Sequence, residues 1–268
     1  MIYQVLKSDY DENPWFKDWS NVVVKNSLED IDPLEPIITG SVLTHVHVQK
    51  WLNQKQPAIY IGRGYVGNHL FKTRWLWRYS INGWANIKLR PMPHSRWSVM
   101  QLDKHPWKVR QVKNVLIAPS AMTAPIWSPE DGWQWAEHMA RQFPGADVRI
   151  RYKIKKSGAR WATLFQDLYW ADLVVAQGSA ITAEALWYGK KAISLHPCIT
   201  WAAGAQSLQD WQNPSEPVLR DQWHEHLAWS QFTNEEWQSG RALELIEQYA
   251  GSVVDFEHDH DYNFKTNL

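Results

Sequence analysis

The sequence predicts an α/β protein of two lobes, each a sheet wrapped by helices, with a cleft between them. Three observations carry this. Short runs of apolar and β-branched residues alternate with helical stretches along the chain. In the second half, strand–turn–helix units follow one another with clear start and stop signals. The length of 268 residues, 44% hydrophobic and 21% charged, suits two ordinary domains with real cores.

Near the start, Tyr3 to Leu6 and Asn21 to Val24 read as short strands, and Pro36 to Thr39 as a buried one. A helix is expected after Gly40-Ser41, through Trp51-Leu52, and a further strand at Ala58 to Ile61. Residues 83–110 scatter Pro, Trp and basic residues without a period and read as loops crossing between the lobes.

Asn114 to Ala118 is a strand ending at Pro119-Ser120. Ser128-Pro129-Glu130-Asp131 opens a helix, with Ser as N-cap and Pro at the first position; Pro144-Gly145 closes it. Asp147 to Lys153 alternates Val148, Ile150 and Tyr152 against Arg149, Arg151 and Lys153, a strand with one apolar and one basic face. A helix around Trp161 to Trp170 leads to the buried strand Asp172 to Ala176. Ser179 to Tyr188 is the next helix, stopped by Gly189 with Lys190-Lys191 at its negative end. Ala192 to Leu195 is the last clear strand, and the capping box Thr233 to Glu236 opens a helix running to about Tyr249. The reading is two Rossmann-like lobes, 1–112 and 113–250, with the return of the C-terminal helix to the first lobe as an alternative, and a tail at 251–268.

The charge is unevenly placed. Net charge is zero, yet residues 61–160 carry eighteen Lys/Arg against five Asp/Glu, whereas residues 161–268 carry five against fifteen. A basic region of this kind suits an anionic partner. Arg74-Trp75-Leu76-Trp77-Arg78-Tyr79 and Arg96-Trp97 interleave cations with flat rings, as backbone phosphates beside bases or sugars require. The 19 Trp serve either a bulky core or stacking surfaces.

Several classes are excluded. No apolar run approaches the about 18 residues of a membrane span, and the N-terminus lacks the features of a secretory signal. One cysteine, Cys198, allows no internal disulfide and no Cys-based zinc site. A reducing cytoplasm is the expected compartment.

Gly62-Arg63-Gly64-Tyr65-Val66-Gly67 matches G-x-G-x-x-G after a strand, but no acid follows at the ribose-holding distance, the next being Asp103. It reads instead as a glycine-rich loop at the cleft, with Arg63 facing an anion. Gln177-Gly178-Ser179-Ala180, between a strand and a helix, is the strongest local signal: helix-start N–H groups attract an anion, and glycine lets a phosphate approach. Glu184, one turn on, is placed to reach a ribose. His45-Val46-His47 and His258 to Asp261 are poor metal sites, so no metal is expected.

Ala171 to Ile193, with its strand, small-residue turn, E-A-L helix and Gly189-Lys190 turn, resembles the donor-binding signature of GT-B glycosyltransferases, nearest to the capsule-polysaccharide type. Arg149, Arg151 and Lys153 stand where that group carries an Arg-x-His-Pro-Lys segment, here without its His-Pro. Trp229 to Glu236 and Arg78 to Gly83 resemble stretches of phage-encoded glycosyltransferases. The resemblance implies a metal-independent hexosyl- or pentosyltransferase taking a nucleotide-sugar as co-substrate, with 1–112 on the acceptor side and 113–250 binding the nucleotide-sugar, in the host cytoplasm if phage-encoded. The donor would lie on Pro119, Ser120, Arg151, Lys153, Gln177, Gly178, Ser179, Ala180 and Glu184. Asp9, His45 and Arg63 are the catalytic candidates, the first two because they stand near expected strand ends. Gly64, Tyr65, Arg74, Arg78 and Asn82 would face the acceptor. A base in phage DNA is the expected acceptor, from the basic middle segment. The alternatives are a non-catalytic nucleic-acid-binding protein and a nucleotide-sugar epimerase on the same fold.

Overall fold

The computed structural model describes residues 2–12, 14–27, 29–39, 57–67, 76–83, 85–119, 132–151 and 159–250. They form two compact units. The first comprises the chain up to Asn86, Arg90–Gln101 and the segment from Glu225; the second comprises Ile87–Leu89 and Leu102–His224. The chain from Glu225 belongs to the first unit.

The first unit is built on a six-stranded mixed sheet. β1 (Tyr3–Leu6), β2 (Val22–Lys25), β3 (Ile37–Thr39) and β4 (Ala58–Arg63) are parallel, in the order β2-β1-β3-β4. β5 (Leu76–Ile81) pairs antiparallel with β4, and β10 (Gln231–Thr233) pairs antiparallel with β5. β5 and β10 were not among the expected strands. β5 carries Trp77, Arg78 and Tyr79 in succession and so reads as a basic–aromatic segment, and β10 has only three residues. β1 runs directly into helix α1 (Lys7–Glu12), and α2 (Trp97–Met100) is a single turn.

The second unit holds a four-stranded parallel sheet of β6 (Asn114–Ala118), β7 (Asp147–Ile150), β8 (Leu173–Ala176) and β9 (Lys191–Ser194), ordered β7-β6-β8-β9. β8 is buried throughout and β6 at every residue but Asn114, as helices on both faces of a parallel sheet demand. Helix α3 (Gly132–Ala140) links β6 to β7, α4 (Ala159–Trp170) links β7 to β8, and α5 (Ala180–Trp187) links β8 to β9. The Ser128 helix start lies outside the described residues. A 3₁₀ turn, Ile199–Ala203, follows β9.

Helix α6 (Arg220–Trp229) was not expected from the sequence, and the boundary between the units falls inside it. The capping box is present in both directions: Thr233 Oγ1 accepts from Glu236 N, and Glu236 accepts from Thr233 N. The single helix expected to follow is instead two, α7 (Asn234–Gln238) and α8 (Arg241–Ala250). Gly240, at φ +76°, takes the left-handed conformation that ends the first and lets the second restart.

Among the described residues the tryptophans belong chiefly to the cores. Trp15, Trp19, Trp97, Trp135, Trp187, Trp223, Trp229 and Trp237 are buried. Their ring N–H groups reach backbone carbonyls distant in sequence: Trp19 donates to Trp237 O, Trp187 to Asp103 O, Trp223 to Ile199 O and Trp229 to His94 O. Each ring therefore fills volume and also fastens a loop. Trp77 packs edge-on against Trp15 at 4.7 Å between centroids and joins the first core. Arg96 is buried too. Its guanidinium is paired with Glu236 at 2.7 Å and lies over the rings of Trp229 and Phe232. The Arg96-Trp97 pair and Trp77 thus serve the interior, which corrects their reading as a stacking surface for bases.

Candidate functional site

In the second unit, strand order reverses between β6 and β8. The chain leaves β6 towards β7 on one side and returns to β8 on the other. Connections at the carboxyl ends of these two strands therefore diverge, the arrangement in which open α/β sheets take their ligands. Pro119 leaves β6 there and is buried; Gln177-Gly178-Ser179 leave β8 and start α5. His196 follows β9 on the neighbouring strand.

The turn is built by local hydrogen bonds. Ser179 is extended and caps α5, its Oγ accepting from Ile181 N at 3.5 Å. Thr182 Oγ1 donates to Ser179 O at 2.7 Å and lies 3.5 Å from both Cys198 Sγ and Thr200 Oγ1. Cys198 Sγ donates to Ser179 O at 3.6 Å. The 3₁₀ turn after β9 thus holds the first turn of α5 in place. The positive end of the helix dipole faces the same carboxyl edge.

Gly178 does not sit in the left-handed region, so the turn itself does not demand glycine. A methyl there would meet His196 Cβ at 3.4 Å and Pro197 O at 3.8 Å, ordinary contact distances. The bareness of the position leaves the backbone approachable, as a phosphate would need.

Glu184 is buried one turn into α5. Burial, and then the nearby Glu184 carboxylate, push the Tyr188 hydroxyl well above the usual phenol range. The basic strand is committed elsewhere. Arg151 forms an ion pair with Asp167 of α4, and the Arg149 guanidinium lies 3.9 Å above the ring of Trp170. These contacts fasten β7 to α4. Lys153 and Ser120 lie outside the described residues.

The residues expected at the catalytic and acceptor positions belong to the first unit. Gly62 and Arg63 lie within β4, and residues 68–75, which follow the motif, lie outside the described residues. Its amides have protein partners: Gly64 N donates to Leu76 O at 2.7 Å, and Tyr65 N and Val66 N donate to Gln231 Oε1 at 2.9 and 3.4 Å. The loop is held by β10 and is not a phosphate cradle. Tyr65 is buried, and its ring lies 4.8 Å below the Arg78 guanidinium. Asn82 is a turn residue at φ +50° whose Oδ1 accepts from Ala58 N at 2.8 Å. Arg63 is exposed. The backbone of Asp9 lies in α1; its side chain, with His45 and Arg74, falls outside the described residues.

The structure therefore gathers Pro119, Gln177, Gly178, Ser179 and Ala180 at one sheet edge. His196, Thr182, Cys198 and Thr200, which join them, were not among the expected site residues. His196-Pro197 directly after the last strand was the available signal. Among the described residues no three His, Cys, Asp or Glu stand together as metal ligands. Among the same residues no helix is long and apolar enough to cross a membrane.

The class defined so far is a mixed α/β protein with two sheets, one of them an all-parallel sheet carrying a helix-start site at its switch point. No protein-family model matches the chain, and no similar curated protein is found. Among solved structures, the beta Kdo 2,7 transferase KpsC of Thermosulfurimonas dismutans is similar in fold. It has a TM-score of 0.51 and 11% identity, over 92% of this chain and 99% of that one. The likeness is one of fold alone, an α/β architecture like that of this transferase.

Proposed function

We propose that this chain transfers a sugar from a nucleotide-activated donor, held at the carboxyl edge of the second unit's sheet. The observation that carries the reading is the Gln177-Gly178-Ser179 turn at the β6/β8 switch point. There, helix-start N–H groups and a bare glycine coincide with the fold's natural ligand position. The donor phosphate would sit on Gly178 to Ala180, with His196 alongside. The fold's likeness to a sugar transferase supports the reading. Departure of a nucleotide leaves negative charge on its phosphate, and the helix dipole with preorganised N–H groups stabilises that charge without a metal.

A DNA acceptor now draws support from the basic sequence segment alone, since Trp77, Arg96 and Trp97 are core residues. Arg63 and the half-buried Arg78 are the acceptor-side cations to test. The experiment is a thermal-shift screen against UDP-, GDP-, CMP- and ADP-sugars, followed by turnover with glycan and duplex DNA acceptors, with and without EDTA. One nucleotide-sugar class should raise the melting temperature, and turnover should persist in chelator. No shift with any of them would sink the donor assignment.

A further inference from the structure

The basic segment of the sequence has a place in the second unit that the donor site does not use. Between Asp103 and Glu130 the sequence holds no acid, while Lys104, Lys108, Arg110 and Lys113 are all exposed. This strap runs along the amino-terminal edge of the sheet, opposite to the Gln177–Ala180 turn. Lys108 N donates to Gly189 O at 2.9 Å, just past the end of α5, and Lys113 N donates to Asp172 Oδ2 at 3.1 Å. Lys190 joins it: its ammonium is lowered by burial, with Asp172 acting against that and Lys108 adding to it, so the two lysines are near neighbours.

Large apolar side chains stand exposed beside the same strap. Lys190 Nζ donates to the carbonyl of Tyr169, whose side chain is 87% exposed. Val218 is 97% exposed and Leu219 39%. The next residue, Arg220, donates to His105 O at 2.7 Å, and Trp107 Nε1 donates to Pro214 O, so this loop abuts the strap. Of the acids nearby, Glu216 pairs with Arg220 and Asp172 accepts from the amides of Lys113 and Asn114; Asp103 and Asp221 are exposed, against five basic residues in Lys104, Lys108, Arg110, Lys113 and Lys190.

We propose that this edge, with Lys104, Lys108 and Lys190 beside Tyr169, Val218 and Leu219, docks on an anionic lipid bilayer. Cations alone would suit nucleic acid equally. The exposed aliphatic pair and the tyrosine select the membrane interface, where apolar side chains enter the acyl boundary while lysines meet the headgroups. A nucleic-acid backbone gives Val218 and Leu219 nothing to gain. The proposal is independent of the donor-site reading, because no residue of that site takes part.

The test is sedimentation of the full chain with phosphatidylcholine vesicles, with and without phosphatidylglycerol, beside a duplex DNA oligonucleotide. Binding should require phosphatidylglycerol and weaken with salt. Lys104→Glu with Lys108→Glu should lower partitioning by more than about tenfold, each basic residue near such a surface accounting for roughly a fivefold change. Val218→Ser with Leu219→Ser should lower it at unchanged net charge, and melting temperatures close to the parent's would show both variants folded. Absence of sedimentation at low salt overturns the proposal. So does DNA binding that the charge variant loses while the Ser variant keeps both ligands.

Discussion

Gly189 offers the sharpest quantitative test of how the second unit is held together. It closes α5 in a Schellman arrangement: Gly189 N donates to Leu186 O at 3.2 Å and Lys190 N to Ala185 O at 2.9 Å, with Gly189 at φ +78°. A Cβ there would lie 2.0 Å from Pro106 O and 2.9 Å from its carbonyl carbon, backbone atoms that cannot swing away alone. Gly189→Ala therefore carries two costs. The left-handed conformation costs an L residue about 1–2 kcal/mol. Moving the Pro106 peptide also disturbs the hydrogen bonds on either side of it, Trp187 Nε1 to Asp103 O, Arg220 Nη2 to His105 O and Lys108 N to Gly189 O. At about 1 kcal/mol for each neutral bond, and more for the guanidinium, the strap adds roughly 2–4 kcal/mol. The expected total is ~3–6 kcal/mol, a large part of a typical stability. Gly204→Ala is the control: its φ is +80°, yet nothing lies within 4 Å of the added methyl, so it should lose about 1–2 kcal/mol only. Urea unfolding of both variants beside the parent measures the difference. Equal losses at the two glycines would refute the argument that Pro106 packs against Gly189.

Three further outcomes follow from other contacts. Glu236→Gln leaves the buried Arg96 guanidinium without its carboxylate and should destabilise by about 3–5 kcal/mol in urea unfolding, since an unpaired buried charge is the dominant penalty. His226 is buried, its Nε2 donating to Asn86 O at 2.8 Å, and burial pushes its pKa down to about 4, with the Asn86 bond opposing and Arg90 adding to the shift. Its stability contribution is thus complete above the unfolded value of about 6.5 and falls away as pH drops towards 4, by up to ~1.4 kcal/mol per pH unit; urea midpoints at pH 7 and 4.5 should diverge less in His226→Gln than in the parent. Gly178→Ala should fold normally, whereas Gly178→Val should fold and lose nucleotide-sugar binding in calorimetry; undiminished binding by the Val variant would move the donor away from this turn.

Legibility in the sequence followed the range of the forces involved. The second unit was readable because each of its signals is local. Val115 to Ala118 and Leu173 to Ala176 are continuous apolar runs, Ser179 caps its own helix, and Gly189 stops it. The Thr233 capping box was legible for the same reason. The misses depended on distant partners. β10 is a strand only because Gln231 to Thr233 find β5, some 150 residues earlier in the chain. The glycine motif was legible as a loop lacking the acid of a dinucleotide site, but not that Gln231 takes the amides of Tyr65 and Val66, which spacing cannot reveal.

The basic–aromatic interleaving shows the same limit from the other side. A cation beside a ring in sequence is compatible with a nucleic-acid surface and with a buried pair, and the deciding quantity is where the carboxylate lies. For Arg96 it lies on Glu236, 140 residues on, and the rings beneath the guanidinium come from Trp229 and Phe232. The segment from Glu225 onwards thus supplies the counter-charge, two ring faces and the Gln231 clamp that the first unit's basic and glycine-rich stretches need. A negative C-terminal third and a positive middle are, at this site, two halves of one core. Among the described residues of the second unit, the Lys104–Lys113 strap brings four exposed basic residues together with no acid between them, and the affinity for an anionic partner should be sought there.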